Sequence, residues 1–468
     1  MTWKGCTERF CMFTIFVSAV ASSACSDTIT VDDDGFADHE DIQSAIFASQ
    51  DGDTILILPG NYSSMFSQNI FDTNGKKIHI RSSDGPGVTF IDGRNQYRCI
   101  ECNSGENSET IIEGLTIMNG LAPFGAGIYL SNSSPTIRNC VFRSNVADFY
   151  GGSILCQTAH PRIEDCTFTE NSAGAWGAAL YSMYDSIPQI HGCVFTNNAS
   201  IENGGAIAGG SGSHTIIANS LFSSNGSGTG GAIYNNQSDC TIHECIFIDN
   251  TSLERGGAVS AKDGCSMKIT SSAFQGNLST EGGTFSVNSS DIEIVLCELT
   301  NNIGTARGGC LDATNDSTVL VEDTSIRLHS STIGGAIFGD NSMLQITGCT
   351  VTENSANSGG AIYTLMGQTY ITESLICNNS PDQIVGKWQE DVRSCIARWC
   401  ETDEDGVTGC LCPADIDRNG FVDGADLTIL LSSWGWCGAG YCPEDLSNDG
   451  LIDGLDLGIF LGFWGPCE

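Results

Sequence analysis

A glycine followed by small residues and then an apolar one returns about every 26 positions along most of this chain. Gly125, Gly151, Gly177, Gly204, Gly230, Gly256, Gly282, Gly308, Gly334 and Gly359 open ten copies, separated by 26, 26, 27, 26, 26, 26, 26, 26 and 25 residues. The period is too short for a propeller blade, and the copies lack the 3.6-residue periodicity of paired helices. What remains is a solenoid of strands and turns.

Each copy carries a second signature, read relative to Cys140, Cys166, Cys193, Ser220, Cys245, Ser272, Cys297, Thr324, Cys349 and Ser374. Three residues before this column lies an apolar residue, from Ile137 and Ile163 through Val321 to Ile371. Two residues after it lies another, from Phe142 and Phe168 through Leu299 to Ile376. Five residues after it stands Asn in every copy except one, where His329 takes the place. Short runs of alternating polarity cut by Gly and Asn are strand and turn signals. The reading is an all-β right-handed parallel β-helix, with one copy per rung and rungs about 4.8 Å apart. Apolar columns fill the interior, and the glycines permit tight turning or close approach. Asn is expected to take the left-handed turn conformation while its amide bonds to the Asn of the next rung. The column of Cys, Ser and Thr marks a small inward slot. Stacked thiols and rung-to-rung disulfides both fit it, and the cysteines after Cys377 are the better disulfide candidates.

The remaining boundaries follow from composition. Lys4 and Arg9, the apolar stretch Phe10 to Ala21 and then Ser22-Ser23-Ala24 predict a secretory signal over residues 1–24. Cys25 follows, which raises lipid modification as an alternative. No later stretch is apolar enough to cross a membrane, so a secreted or cell-surface protein is expected. Residues 25–120 read as a cap and first rungs, with an amphipathic helix from His39 to Gln50 covering the open end. Residues 121–380 are the regular solenoid, 381–411 a Cys-rich cap or linker, and 412–468 a duplicated module. The balance of 56 acidic against 19 basic residues, a net charge of −37, argues against nucleic acid and against unassisted binding of anionic polymers.

In the tail, Asp415, Asp417, Asn419, Asp423 and Asp426 occupy positions 1, 3, 5, 9 and 12 of an acidic loop. Asp445, Ser447, Asp449, Asp453 and Asp456 repeat the pattern 30 residues on. Alternate oxygen ligands, a sharp turn at Gly420 or Gly450 and the carbonyls of Phe421 or Leu451 at position 7 are the spacing of a calcium loop, so two Ca²⁺ ions are expected. A short apolar helix follows each loop. This arrangement resembles the dockerin type I module. The resemblance implies docking to a cohesin-like partner, and such modules ride on polysaccharide-degrading proteins. The rungs, as in Gly230 to Ile233 and Phe247 to Asn250, resemble the repeats of chlamydial polymorphic membrane proteins, which are adhesins. Their architecture is similar to the pectin-lyase-like β-helix superfamily.

Two ladders carry candidate chemistry. Arg138, Glu164 and His191 share an outward column, which admits lyase or hydrolase chemistry or simply a salt-bridged surface. Phe124, Tyr150 and Trp176 share the column before the glycine, where stacked rings offer a surface for sugars or a hydrophobic seam. Extracellular polysaccharide recognition or attachment is the leading expectation. A polysaccharide lyase or glycoside hydrolase is the alternative, and a structural adhesin the second.

Overall fold

The computed structural model describes residues 26–63, 68–391, 394–397, 401–402, 408–409, 414–417, 421–436, 444–447 and 450–466. The expected signal, Cys25 and the cysteines at 400, 410, 412, 437, 442 and 467 lie outside them.

One copy makes one turn of a parallel solenoid. Thr136–Arg138 enters a sheet of 15 strands (sheet I), Val141–Arg143 a sheet of 14 (sheet II), Val146–Tyr150 a sheet of nine (sheet III) and Ile154–Gln157 a sheet of 13 (sheet IV). The chain then returns to sheet I at Arg162–Glu164, beside Thr136–Arg138. The columns read from the sequence are straight files in register, as in Ile137 with Ile163 with Ile190, and Phe142 with Phe168 with Phe195. From Phe142 to Phe274 the rings stack face to face with centroids 4.5–4.7 Å apart and planes within 7°. That spacing is the strand separation itself, because identical side chains on a parallel ladder adopt identical rotamers.

The Asn file runs through the interior. Asn171 Nδ2 donates to Asn198 Oδ1 at 2.9 Å and to the Phe142 carbonyl at 3.0 Å, while Asn171 Oδ1 accepts from the backbone and amide nitrogens of Asn145. Every polar atom of the amide is thereby satisfied in a buried position. The left-handed conformation expected of these Asn residues instead belongs to the residue before each, such as Ser144, Asn197 and Asn301, with φ of 55°, 55° and 56°. The turn is made one position earlier, so the buried Asn keeps an ordinary backbone and points its amide along the file.

The Cys, Ser and Thr column bonds in both directions, and Ser220 Oγ, for example, accepts the Cys193 backbone nitrogen at 3.1 Å. Cys166 Sγ donates to the Glu164 carbonyl at 3.2 Å, Ser220 Oγ to Ala218 at 2.8 Å and Thr324 Oγ1 to Glu322 at 2.7 Å. A small group that both donates and accepts fits, which explains the alternation of Cys, Ser and Thr. Of the two readings, the structure has buried thiols at Cys140, Cys166, Cys193, Cys245, Cys297 and Cys349.

The glycines serve both expected purposes. Gly230 has φ +68°, whereas a Cβ on Gly231 would stand 2.0 Å from the Gly257 carbonyl of the next rung.

Helix α1 (Ile42–Ala48) buries Ile42, Ala45 and Ile46 against the strands Thr28–Val31, Thr54–Ile57 and Asn69–Asp72, closing the core. It is shorter than the His39–Gln50 span. Asp41 accepts from Ser44 N as the N-cap, Ser49 turns extended, and the Lys76 ammonium takes the carbonyls of Ile46 and Ser49.

In the tail, helices α2 (Gly424–Ser432) and α3 (Gly454–Gly462) each begin with a capping box, Asp423 with Asp426 and Asp453 with Asp456. Phe421–Val422 pairs antiparallel with Gly465–Pro466, and Gly435–Trp436 with Leu451–Ile452. Each loop thus leans on the segment following the other unit's helix. The two share a core of Ala414, Val422, Leu430, Ile452 and Phe460. Among the described residues no helix is long and apolar enough to cross a membrane.

Candidate functional site

The corner between sheets III and IV gathers aromatic and charged side chains of neighbouring rungs. Two columns meet there. One precedes the glycine: Phe124, Tyr150, Trp176, Asn203, Thr229, Arg255, Glu281 and Arg307 follow one another in register. The other begins the outward face of sheet IV four residues after the glycine, with Tyr129, Leu155, Tyr181, Ala208, Tyr234, Ser260, Ser286 and Asp312. Although these last point away from the core, Leu155, Tyr181, Ala208, Tyr234, Ser260, Ser286 and Asp312 are all buried. The first column leans over the second.

At the early end this makes an aromatic cluster. Phe124 stacks on Phe149 and Tyr150 at 5.6 and 5.7 Å, whereas Tyr150 meets Trp176 edgewise at 5.9 Å. Trp176 in turn stands edge-on over Tyr181 and Tyr234, each at 5.6 Å. The expected ladder of Phe124, Tyr150 and Trp176 is brought together, but its rings are not all coplanar, because the tyrosines beneath tilt Trp176. The indole is held by its Nε1, which donates to Glu202 Oε2 at 3.1 Å. Phe149 lies half exposed at the outer edge.

Further along, the same two columns turn charged. Glu281 Oε2 lies 2.8 Å from Arg255 Nε and 3.0 Å from Arg307 Nη2, and Arg307 Nε lies 2.8 Å from Asp312 Oδ1. The Arg307 guanidinium also covers the Phe338 ring at 4.9 Å. Asp312 is only 1% exposed, and burial pushes its carboxyl up to about 7, with Glu281 adding to the rise and Arg307 opposing it. The sequence reading stopped at Trp176 and missed Phe149, Tyr181, Tyr234 and this network. A column signal existed: Tyr129, Tyr181, Tyr234 and Tyr363 each stand four residues after the first glycine of their copy.

Arg138, Glu164 and His191 do form an in-register column on sheet I. Arg138, however, gives its Nη2 to Glu113 Oε2 at 2.7 Å, and the same oxygen takes His79 Nε2 at 2.7 Å. Burial raises the Glu113 carboxyl, but Arg138 and His79 outweigh it and hold it below its ordinary value. His191 contacts Asn219 Nδ2 at 3.2 Å. Arg138 is thus engaged by Glu113 one rung earlier rather than by Glu164 or His191.

In the tail, ligand oxygens of Asp415, Asp417 and Asp426 lie within 4.8 Å of one another. Asp426 accepts the backbone nitrogens of Asp417 and Asp423 at 2.9 and 3.0 Å, which aims it inward. In the second loop Asp456 accepts from Ser447 and Asp453, and Asp445 from Gly450. Phe421 and Leu451 sit in the short strands at position 7. Asn419 and Asp449 lie outside the described residues. The described oxygens suit a hard cation.

Comparison with known proteins bears on the fold. Residues 36–179 and 176–299 match the family described as right handed beta helix region, and residues 348–365 match the Chlamydia polymorphic membrane protein repeat. No curated protein matches the sequence significantly. Among solved structures, the PL6 family alginate lyase AlyGC is 12% identical, with 82% of this chain and 55% of that chain covered and a TM-score of 0.40. The Azotobacter vinelandii mannuronan C-5 epimerase AlgE6 A-module is also 12% identical, with 76% and 92% covered and a TM-score of 0.36. This chain spans about half the length of the alginate lyase. The family match extends from residue 36 to residue 299, more than half of the 468 residues, and coincides with the stacked parallel turns. The chain belongs to the right-handed β-helix family.

Proposed function

We propose that this is an exported polysaccharide-recognition protein that holds glycan on the strip between sheets III and IV and is attached to a partner through its calcium-loaded tail. The observation that carries the reading is the aromatic cluster of Phe124, Phe149, Tyr150 and Trp176 over Tyr181 and Tyr234. Apolar faces of sugar rings pack on such side chains, while hydroxyls reach polar neighbours such as Glu202 and Asn203. The Glu202 bond to the indole supports it further, since a fixed ring loses little entropy on binding. Trp176→Ala should lower retention on a bound polysaccharide about tenfold, ~1.4 kcal/mol, read on folded protein well below the variant's melting transition. This is measured by affinity electrophoresis over a glycan panel. Retention unaffected by Trp176→Ala would refute the strip. Unsaturated products or new reducing ends that disappear with Arg138→Ala or Glu164→Ala would establish the enzyme instead. No retention and no products would leave the adhesin.

Two Ca²⁺ ions are assigned to the tail, one by Asp415, Asp417, Asn419, Phe421, Asp423 and Asp426 and one by Asp445, Ser447, Asp449, Leu451, Asp453 and Asp456. Bound calcium would neutralise the clustered carboxylates and tie each loop to the start of its helix. A cohesin-like protein is the partner the tail is proposed to dock. Calorimetry on the full chain should find two equivalents, with Asp426→Ala and Asp456→Ala each removing one. No heat of binding rejects the assignment.

A further inference from the structure

The charged half of the strip extends this reading to a substrate class. Seven rung intervals separate Phe124 from Arg307, roughly 34 Å at the spacing of parallel strands, room for about six sugar rings end to end. The same column is aromatic at one end and charged at the other, with Asn203 and Thr229 between. Arg255, Glu281 and Arg307 alternate donors and acceptors along the axis, and their side chains are 41%, 22% and 27% exposed. Glu281 Oε2 is shared by Arg255 and Arg307, and Arg307 Nε meets Asp312 Oδ1, so buried ion pairs fix the side chains while the rest of Arg255, Glu281 and Arg307 stays open along the strip. A hydroxyl, which donates and accepts at once, matches such a row. A carboxylate or sulfate does not: Glu281 already bridges Arg255 and Arg307, so neither guanidinium is free of an acidic partner, and the chain as a whole carries −37.

Building on the strip reading, we propose that Arg255, Glu281 and Arg307 bind the hydroxyls of an uncharged polysaccharide strand that lies parallel to the solenoid axis with its rings on Tyr150 and Trp176. Asp312 and Phe338 are positioning residues. They clamp the Arg307 guanidinium from its edge and its face, so that the network is ordered before the strand arrives.

The test uses the full chain and β-1,4-linked glucan, xylan and mannan oligosaccharides of two to eight sugars, with pectate and alginate as charged controls in the presence of a chelator. For a neutral series, affinity should rise with length to about six sugars and then level. Glu281→Gln and Arg255→Gln should each weaken the hexamer about tenfold, a charged hydrogen bond's share, and leave the trimer unchanged. Arg255 is exposed enough that its variant tests binding even if Glu281→Gln disturbs folding. Affinity independent of length, variants without effect on the hexamer, or tighter binding of pectate or alginate than of every neutral series would each overturn the inference. If Trp176→Ala still removes binding in those cases, the strip reading survives alone. If no glycan binds at all, both fall.

Discussion

Asn225→Leu is expected to destabilise the solenoid by roughly 5 kcal/mol, from four buried side-chain hydrogen bonds lost, to Asn198 twice, Phe195 and Asn250, at about 1–1.5 kcal/mol each. Asn225 Oδ1 accepts the Asn198 backbone nitrogen at 3.1 Å and the Asn198 amide at 3.0 Å, and Asn225 Nδ2 donates to the Phe195 carbonyl at 3.0 Å. Leucine fills the volume but answers none of these, and no water reaches them in a position 1% exposed. Because each rung touches only its neighbours, the loss should be local. Hydrogen exchange should quicken around residues 198–250 before the ends of the solenoid respond. Urea unfolding followed by circular dichroism measures the total. A loss under about 1 kcal/mol would mean that the Asn file does not hold the interior together.

His329 supplies the second large effect, through pH. It replaces Asn in the same file: Nδ1 accepts the Asn302 backbone nitrogen at 3.0 Å and Nε2 donates to the Leu299 carbonyl at 3.0 Å, so the ring is held neutral. Burial lowers its pKa from 6.5 to about 4, against the smaller opposing pull of the Asn302 and Leu299 backbone. Between those values the unfolded chain takes up a proton that the folded chain refuses. Stability is therefore fully present above pH 6.5 and falls as the pH drops, by about 3 kcal/mol at pH 4. Asp312 acts in the opposite sense over the same window, because its raised pKa lets the folded chain bind a proton below pH 7. The wild-type slope alone is thus not diagnostic, but the difference from His329→Asn is. The variant, with an amide file restored, should match or exceed the wild type at pH 7 and exceed it by about 3 kcal/mol more at pH 4. A difference that does not change with pH would reject a neutral buried imidazole.

The period, the apolar files and the Asn file were legible in the sequence because a parallel ladder forces identical environments on residues one period apart, so composition repeats wherever the environment does. Phe142, Phe168 and Phe195 could be placed together from spacing alone, and so could Phe124, Tyr150 and Trp176. The spacing of acidic residues in the tail was read the same way, because an interval within 12 residues is a local property, and of the first loop the structure brings Asp415, Asp417 and Asp426 together.

What spacing does not carry is the angle between consecutive sheets. Tyr150 and Tyr181 differ by more than one period, yet their rings approach to 5.1 Å because the chain bends so that sheet III folds over the start of sheet IV. The same bend buries Asp312 beneath Arg307 and gives the strip its charged half. By itself the sequence determined which residues stack along the axis, since that depends only on the repeat. Only the tertiary structure decided which columns face each other across the axis, since that depends on how each corner packs.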